Sequence, residues 1–205
     1  MAAKRTRTGL GAGTGTGTGT ASSGGSTGRS VALLRAINVG GRNIVPMKDL
    51  VALFAGAGCT NVSTYIQSGN VVFRAPPALA ARLPVLLAKA VEDRFGIRVP
   101  VVVRAAGQLR EVVRHNPFLR AGADPNTLHV AFLDDAPSAA RIATLDPDRS
   151  PPDEFAVRGQ EIYLRFPKGL GRTKLTNQYF DAKLATTSTV RNWRTVLKLL
   201  DLTGG

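Results

Sequence analysis

Between Val31 and Arg104 the chain switches repeatedly between two hydrophobic periods, and the order of the switches leaves few folds open. Val31–Ile37 is a short apolar run, the pattern of a buried strand. After the loop at 38–43, Pro46 suits a first helical turn. Met47, Leu50, Val51 and Phe54 then recur at i, i+3, i+4 and i+7 as one apolar helical face. Gly56 and Gly58 close that helix. Val62–Ile66 and Val71–Arg74 flank Gln67-Ser68-Gly69-Asn70 and read as a tight hairpin. A second helix is predicted from about Leu79 to Phe95, with Leu83, Leu86, Leu87, Ala90 and Val91 as its buried face. Pro84 either kinks it or marks its true first turn. Val99–Arg104 is the last strand. The order β-α-β-β-α-β is the ferredoxin-like, alpha-beta plait arrangement. Its last strand lies at a sheet edge, where Pro100 is tolerated.

The second half echoes this plan. A short helix, Gln108–Arg114, stops at Asn116-Pro117, and Leu128, Val130 and Phe132 alternate along a strand. Pro137–Leu145 is predicted helical, and Glu154–Val157 and Glu161–Phe166 form a hairpin around Arg158-Gly159. Lys174–Leu184 and Arg191–Leu202 are predicted helices, the latter capped by Ser188 or Thr189. The second unit is therefore expected to be a βαββαα variant whose last strand is absent or replaced. The chain divides into a tail at 1–30, a ferredoxin-like unit at 31–105, and a second α+β unit with C-terminal helices at 106–205. The fold class is α+β. In the tail Thr and Gly alternate from Thr8 to Thr20 with almost nothing apolar to bury, so it is expected to be disordered. Its glycines between 9 and 19 are all odd-numbered and cannot supply the n, n+2, n+5 spacing of a dinucleotide fingerprint. No hydrophobic segment follows its basic start, so it is not a secretory signal, and a cytoplasmic location is expected.

Composition excludes several classes. Of 205 residues 43% are hydrophobic, too many for a wholly disordered chain. No window approaches the roughly 18 apolar residues of a membrane span. One cysteine rules out an internal disulfide framework and a cysteine-rich zinc site. The charge is +13, from 27 Lys+Arg against 14 Asp+Glu. Twenty of the 27 cations are arginine, which GC-rich coding also produces. Coding bias predicts scatter, however, and Arg165–Lys198 holds 8 cations against the single acid Asp181. A basic cluster of this kind points to nucleic acid or a phosphorylated small molecule as partner.

The standard chemistries are not recognisable. Gly169-Leu-Gly-Arg-Thr-Lys174 does not match a Walker A loop, and no Gly-x-Ser-x-Gly elbow occurs. His115 and His129 have no metal-ligand spacing, and His129, in a strand, reads as structural. Cys59 at a helix end reads as a free structural thiol, and Trp193 as core. The paired acids Asp134-Asp135 and Glu92-Asp93 read as solvated positions. The first strand lacks the aromatic residues on which an RNA-recognition motif stacks bases. No metal and no cofactor are expected.

Three segments stand out. Phe166-Pro-Lys168-Gly169-Leu-Gly171-Arg172-Thr-Lys174 joins a strand to a helix, and glycines, cations and a helix start together make an anion site. The same loop also reads as a plain exposed turn. Arg191, Arg194 and Lys198, at i, i+3 and i+7, form an exposed basic stripe on the last predicted helix. Arg35-Ala-Ile-Asn38-Val-Gly-Gly-Arg42-Asn43 leaves the end of a central strand carrying Arg and Asn donors, a natural pocket wall or a simple β-to-α connection.

Leu33–Asn43, Thr64–Phe73, Lys174–Asn177 and Arg191–Val196 resemble the hallmark stretches of a bacterial family, domain of unknown function 1697. The resemblance runs from about residue 31 to 203. It implies a two-part α+β protein with ferredoxin-like units, and no activity or catalytic residue. Three functions are therefore expected to compete. One is binding of a phosphate-bearing ligand through the basic face. Another is an enzyme with a small anionic substrate between the units, at Arg35, Asn38, Arg42 and Asn177. The last is a protein-interaction module.

Overall fold

The computed structural model describes residues 28–204. Most of the Thr/Gly-rich tail lies outside the described residues. The chain folds as β1 (Arg29–Leu34), α1 (Met47–Gly56), β2 (Thr60–Tyr65), β3 (Asn70–Arg74), α2 (Pro77–Phe95), β4 (Val101–Ala105), α3 (Ala106–Arg114) and α4 (Pro117–Arg120). It continues as β5 (Leu128–Leu133), α5 (Ala139–Ile142), β6 (Glu154–Arg158), β7 (Glu161–Arg165), α6 (Asn177–Leu184), β8 (Ser188–Asn192) and α7 (Trp193–Leu202). Two four-stranded antiparallel sheets result, ordered β2-β3-β1-β4 and β6-β7-β5-β8.

The second unit corrects the expected βαββαα plan. A final strand, β8, is present between α6 and α7, and it pairs along its whole length with β5. The last helix consequently starts at Trp193, and its cap is Asn192, whose Oδ1 accepts from Thr195 N at 2.8 Å, rather than Ser188 or Thr189. Likewise α6 starts at Asn177, capped by Thr176, so Lys174 precedes the helix. Pro100 precedes the edge strand β4, and Pro84 lies within α2, whose first turn is set by Pro77.

The two halves share element order and register. Ser30 to Leu34 of β1 oppose Ala105 to Val101 of β4, as His129 to Leu133 of β5 oppose Asn192 to Ser188 of β8. Arg29 to Leu33 oppose Arg74 to Asn70, as Leu128 to Phe132 oppose Arg165 to Glu161. Even the flanking bonds recur: Leu34 N donates to Gly69 O and Leu133 N to Gln160 O, while Arg35 N donates to Pro100 O and Asp134 N to Thr187 O.

Continuous apolar runs in β1 and β5 follow from burial on both faces. Ala32 and Leu34 pack with Leu50 and Phe54 of α1 and Leu83 and Leu87 of α2. Ala131 and Leu133 pack likewise with Phe180 and Leu184 of α6. The opposite faces meet in one shared core. Val31, Leu33 and Val72 of the first sheet and Val130, Phe132 and Tyr163 of the second close on Leu109 and Val112 of α3 and Trp193, Val196 and Leu199 of α7. Each such large side chain contributes about 1.5–3 kcal/mol on burial, so this core fixes the two sheets against one another.

Candidate functional site

Where β1 ends, the backbone is bent by its own side chains. Asn38 donates through Nδ2 to Val45 O and accepts through Oδ1 from Val45 N, and Asn43 donates to Ala36 O. Ala36, Asn38 and Asn43 all have positive φ, as does Ile66 in the turn between β2 and β3. A left-handed conformation is ordinary for asparagine but costly for a β-branched residue such as Ile66. Gly69, in the same turn, has φ +71, and a Cβ there would stand 2.7 Å from Leu34 O. Only glycine lets this turn lie against the end of β1.

Two arginines join the halves reciprocally. Arg104, the fourth residue of β4, donates to Val103 O, to Leu133 O at 2.6 Å and to Gln160 O, and pairs with Glu161 Oε1 at 2.9 Å. Arg191, the fourth residue of β8, donates to Val190 O, to Leu34 O at 2.8 Å and to Ser68 O, and meets Asn70 Oδ1 at 2.6 Å. A bond to Thr189 Oγ1 completes its five donors. The halves differ at the decisive place: Arg104 has a carboxylate, whereas Arg191 has a neutral amide and no carboxylate partner among the described residues. Burial lowers the Arg191 pKa to about 10, which still leaves it a cation at neutral pH. The expected exposed stripe on a helix is thus corrected, since Arg191 is a strand residue enclosed by both halves.

Along the free edge of β8 runs a groove of about 490 Å³, lined on one side by Arg35, Val39, Ile66 and Ser68 and on the other by Leu170, Asn177, Thr189 and Arg191. Arg35 pairs with Asp181 and donates to Ser188 O, and Asp181 also accepts from Ser188 N and Oγ. These contacts cap the strand edge against further pairing. Val39, Ile66 and Leu170 are 61, 53 and 52% exposed at the groove, unusual for large aliphatic side chains grouped together. His129 also lines it. Its ring packs on Phe166 with centroids 5.0 Å apart, and Nδ1 lies 3.4 Å from Thr127 O. A carbonyl only accepts, so a hydrogen bond here requires the Nδ1–H form of the neutral ring, in which Nε2 is the acceptor. Burial pushes its pKa below the usual value.

The residues singled out in the sequence are distributed unequally. Arg35 and Arg191 line the groove, both engaged by the fold. Asn38 and Asn43 hold the loop together. Arg42 is exposed three residues from Val39, bonded to it through the backbone, and Lys168 and Arg172 are exposed two residues either side of Leu170. Gly169 bonds back to Phe166, Gly171 sits in a 3-10 turn, and Lys174 N donates to Ser150 Oγ. That loop therefore does not present a helix N-terminus. Arg194 lines a neighbouring cleft. Among the described residues the side chains of Arg42, Lys168, Arg172, Lys174 and Arg194 have no acidic partner. Ile66, Ser68, Thr195 and His129 were not anticipated at the site. The Tyr65–Asn70 turn reads locally as a hairpin, and only docking of the halves brings it to β8.

The chain belongs to the family described as protein of unknown function DUF1697, whose profile matches residues 28–163. Among solved structures it is similar to the conserved bacterial protein SP0830 from Streptococcus pneumoniae, with a TM-score of 0.63 and 19% sequence identity. The superposition covers 85% of this chain and 98% of that one, and it establishes the shared fold. No curated protein matches the sequence. No helix of the described residues is long and apolar enough to cross a membrane.

Proposed function

We propose that the chain is built of two ferredoxin-like units, 31–105 and 106–205, and that the groove along β8 binds a small phosphate-bearing, nucleotide-like ligand. The repeated element order and register support the first statement. One observation carries the second. The two halves form equivalent junctions, yet only one retains positive charge. Around Arg104 the register supplies Glu161, Asp134 and Asp135, and the equivalent positions around Arg191 hold Asn70, Arg35 and Ala36. The uncompensated cations Arg42, Lys168 and Arg172 are exposed two or three residues along the chain from Val39 and Leu170, which line this groove. Anions are drawn to such a site, and a ligand phosphate supplies the missing negative charge. Val39, Ile66 and Leu170 offer an aliphatic surface for a flat ring, and Ser68 and Asn177 offer hydrogen bonds. A volume of about 490 Å³ suits a small ligand rather than a nucleic-acid strand.

Isothermal titration with 5′-AMP at low salt tests the reading. Saturable binding is expected, weakened about tenfold or more in an Arg42→Ala/Arg172→Ala double variant and reduced by added salt. No binding to the wild type, or equal binding by the variant, overturns it.

A further inference from the structure

Beside the main groove lies a smaller cleft of about 190 Å³, lined by Asn126, Leu128, His129, Asn192, Trp193 and Arg194. His129 and Asn192 line both spaces, so the two adjoin across this residue pair. The internal repeat indicates which features of this cleft the fold itself does not require. In the first half the equivalents of His129, Asn192 and Arg194 are Ser30, Ala105 and Gly107, which carry the same strand pair and the same helix start with small side chains. The second half replaces all three with larger polar groups. Asn192 acquires a capping role, accepting from Thr195 N, whereas in the first half Gln108 accepts from the N–H of Ala105 itself. Arg194 acquires none. It is exposed and has no hydrogen-bond or ion-pair partner among the described residues.

We propose that this cleft is a second anion subsite of the groove, so that the ligand is a nucleotide carrying a further phosphate on its sugar. The inference rests on the reading of the groove given above. The cleft has room for one phosphate group but not for a second nucleoside, so two phosphates separated by a ribose match the two spaces. At their junction the neutral His129 ring presents Nε2 as an acceptor, because Nδ1 faces Thr127 O. A phosphate oxygen cannot donate to it, whereas a ribose hydroxyl can. Arg194 then meets the sugar phosphate, while Arg42, Lys168 and Arg172 serve the 5′-phosphate at the mouth of the groove.

The test compares 5′-AMP with adenosine 3′,5′-bisphosphate by titration calorimetry on the full chain and on Arg194→Ala and Arg194→Lys variants. The bisphosphate is expected to bind about tenfold or more tightly than 5′-AMP. In Arg194→Ala that advantage disappears while 5′-AMP affinity is unchanged, and Arg194→Lys recovers part of it. If 5′-AMP binds but the bisphosphate binds no more tightly, or if Arg194→Ala weakens both equally, the second subsite is overturned and the groove reading stands. If neither nucleotide binds, both readings fall together.

Discussion

Arg191 and Asn70 are 121 residues apart in sequence, yet the Arg191 Nε donates to Asn70 Oδ1 at 2.6 Å across the junction of the two sheets. Asn70 is fully buried, and its Nδ2 donates in turn to Ser68 Oγ at 2.8 Å. Removing the guanidinium would leave this amide oxygen and the carbonyls of Leu34 and Ser68 without their donor. Arg191→Ala is expected to destabilise the protein by more than about 3 kcal/mol, the scale for breaking a buried charged network. Arg191→Lys keeps the charge but not the fork, and is expected to cost about 1–3 kcal/mol. Urea unfolding measures both. A loss below about 1 kcal/mol for the alanine variant would show that the clamp does not hold the halves together.

The reciprocal clamp makes a comparative prediction. Arg104 faces Glu161 where Arg191 faces Asn70, and the second pair demonstrates that an amide can serve. Glu161→Gln is therefore expected to cost only about 1–2 kcal/mol, since Oε1 still accepts. Arg104→Ala is expected to cost more than about 3 kcal/mol. Equal losses in the two variants, read by the same urea midpoints, would contradict the equivalence of the junctions.

Elements whose identity rests on local pattern are legible in this sequence. The α1 face of Leu50 and Phe54 and the apolar run of β1 need no tertiary information. β8 is different. Ser188–Asn192 is five residues long and runs directly into α7, and Arg191, Arg194 and Lys198 fit a helical stripe as well as they fit a strand followed by a helix. Pairing with β5 decides the matter, and that is a long-range contact. The groove is legible only in fragments for the same reason. Arg35 and Asn38 stand out beside Gly40-Gly41, but their separate tasks depend on partners at Asp181 and Val45. The contrast between Arg104 and Arg191 becomes visible only once the registers of the two sheets are compared.

Gly69 gives the turn between β2 and β3 its approach to β1. An alanine Cβ would meet Leu34 O at 2.7 Å and Leu34 Cβ at 2.9 Å, on a backbone already at φ +71. Gly69→Ala is expected to destabilise by about 1–3 kcal/mol, because both the conformation and the contact are unfavourable and the obstacle is backbone. Gly159→Ala, at φ +58 with nothing within 4 Å of its Cβ, is expected to cost less. Thermal unfolding of the two variants, with Gly69→Ala melting at the lower temperature, would match these expectations, and the reverse order would refute them.

Tyr163 stands in the shared core, and its hydroxyl donates to Val112 O at 3.2 Å, tying α3 to the second sheet. Burial, with Glu161 nearby, raises its pKa to about 12. The folded state holds this proton more tightly than the unfolded chain, where tyrosine ionises near 10. Its contribution to stability is thus present below about pH 10 and lost as pH rises through about 12. Tyr163→Phe is expected to lower stability by about 1 kcal/mol near neutral pH and to remove the most alkaline part of the phenolate absorbance titration. A titration curve that keeps its alkaline limb in the variant would assign that limb to another group.

His129 supplies a dependence of opposite sign. Burial holds its pKa below the usual value, so the unfolded chain binds more protons wherever the pH lies between the folded and unfolded values. The stabilising contribution is fully present above the unfolded value near 6.5 and is lost as pH falls through the lower folded value. His129→Gln cannot titrate, and its amide can still meet Thr127 O. The variant is expected to lose less stability than the wild type between about pH 7 and 5, the range in which histidine changes charge. Chemical unfolding at a series of pH values measures the two slopes. Parallel curves would mean that the ring stays solvated, and Nε2 would then not be held neutral as an acceptor at the junction of groove and cleft.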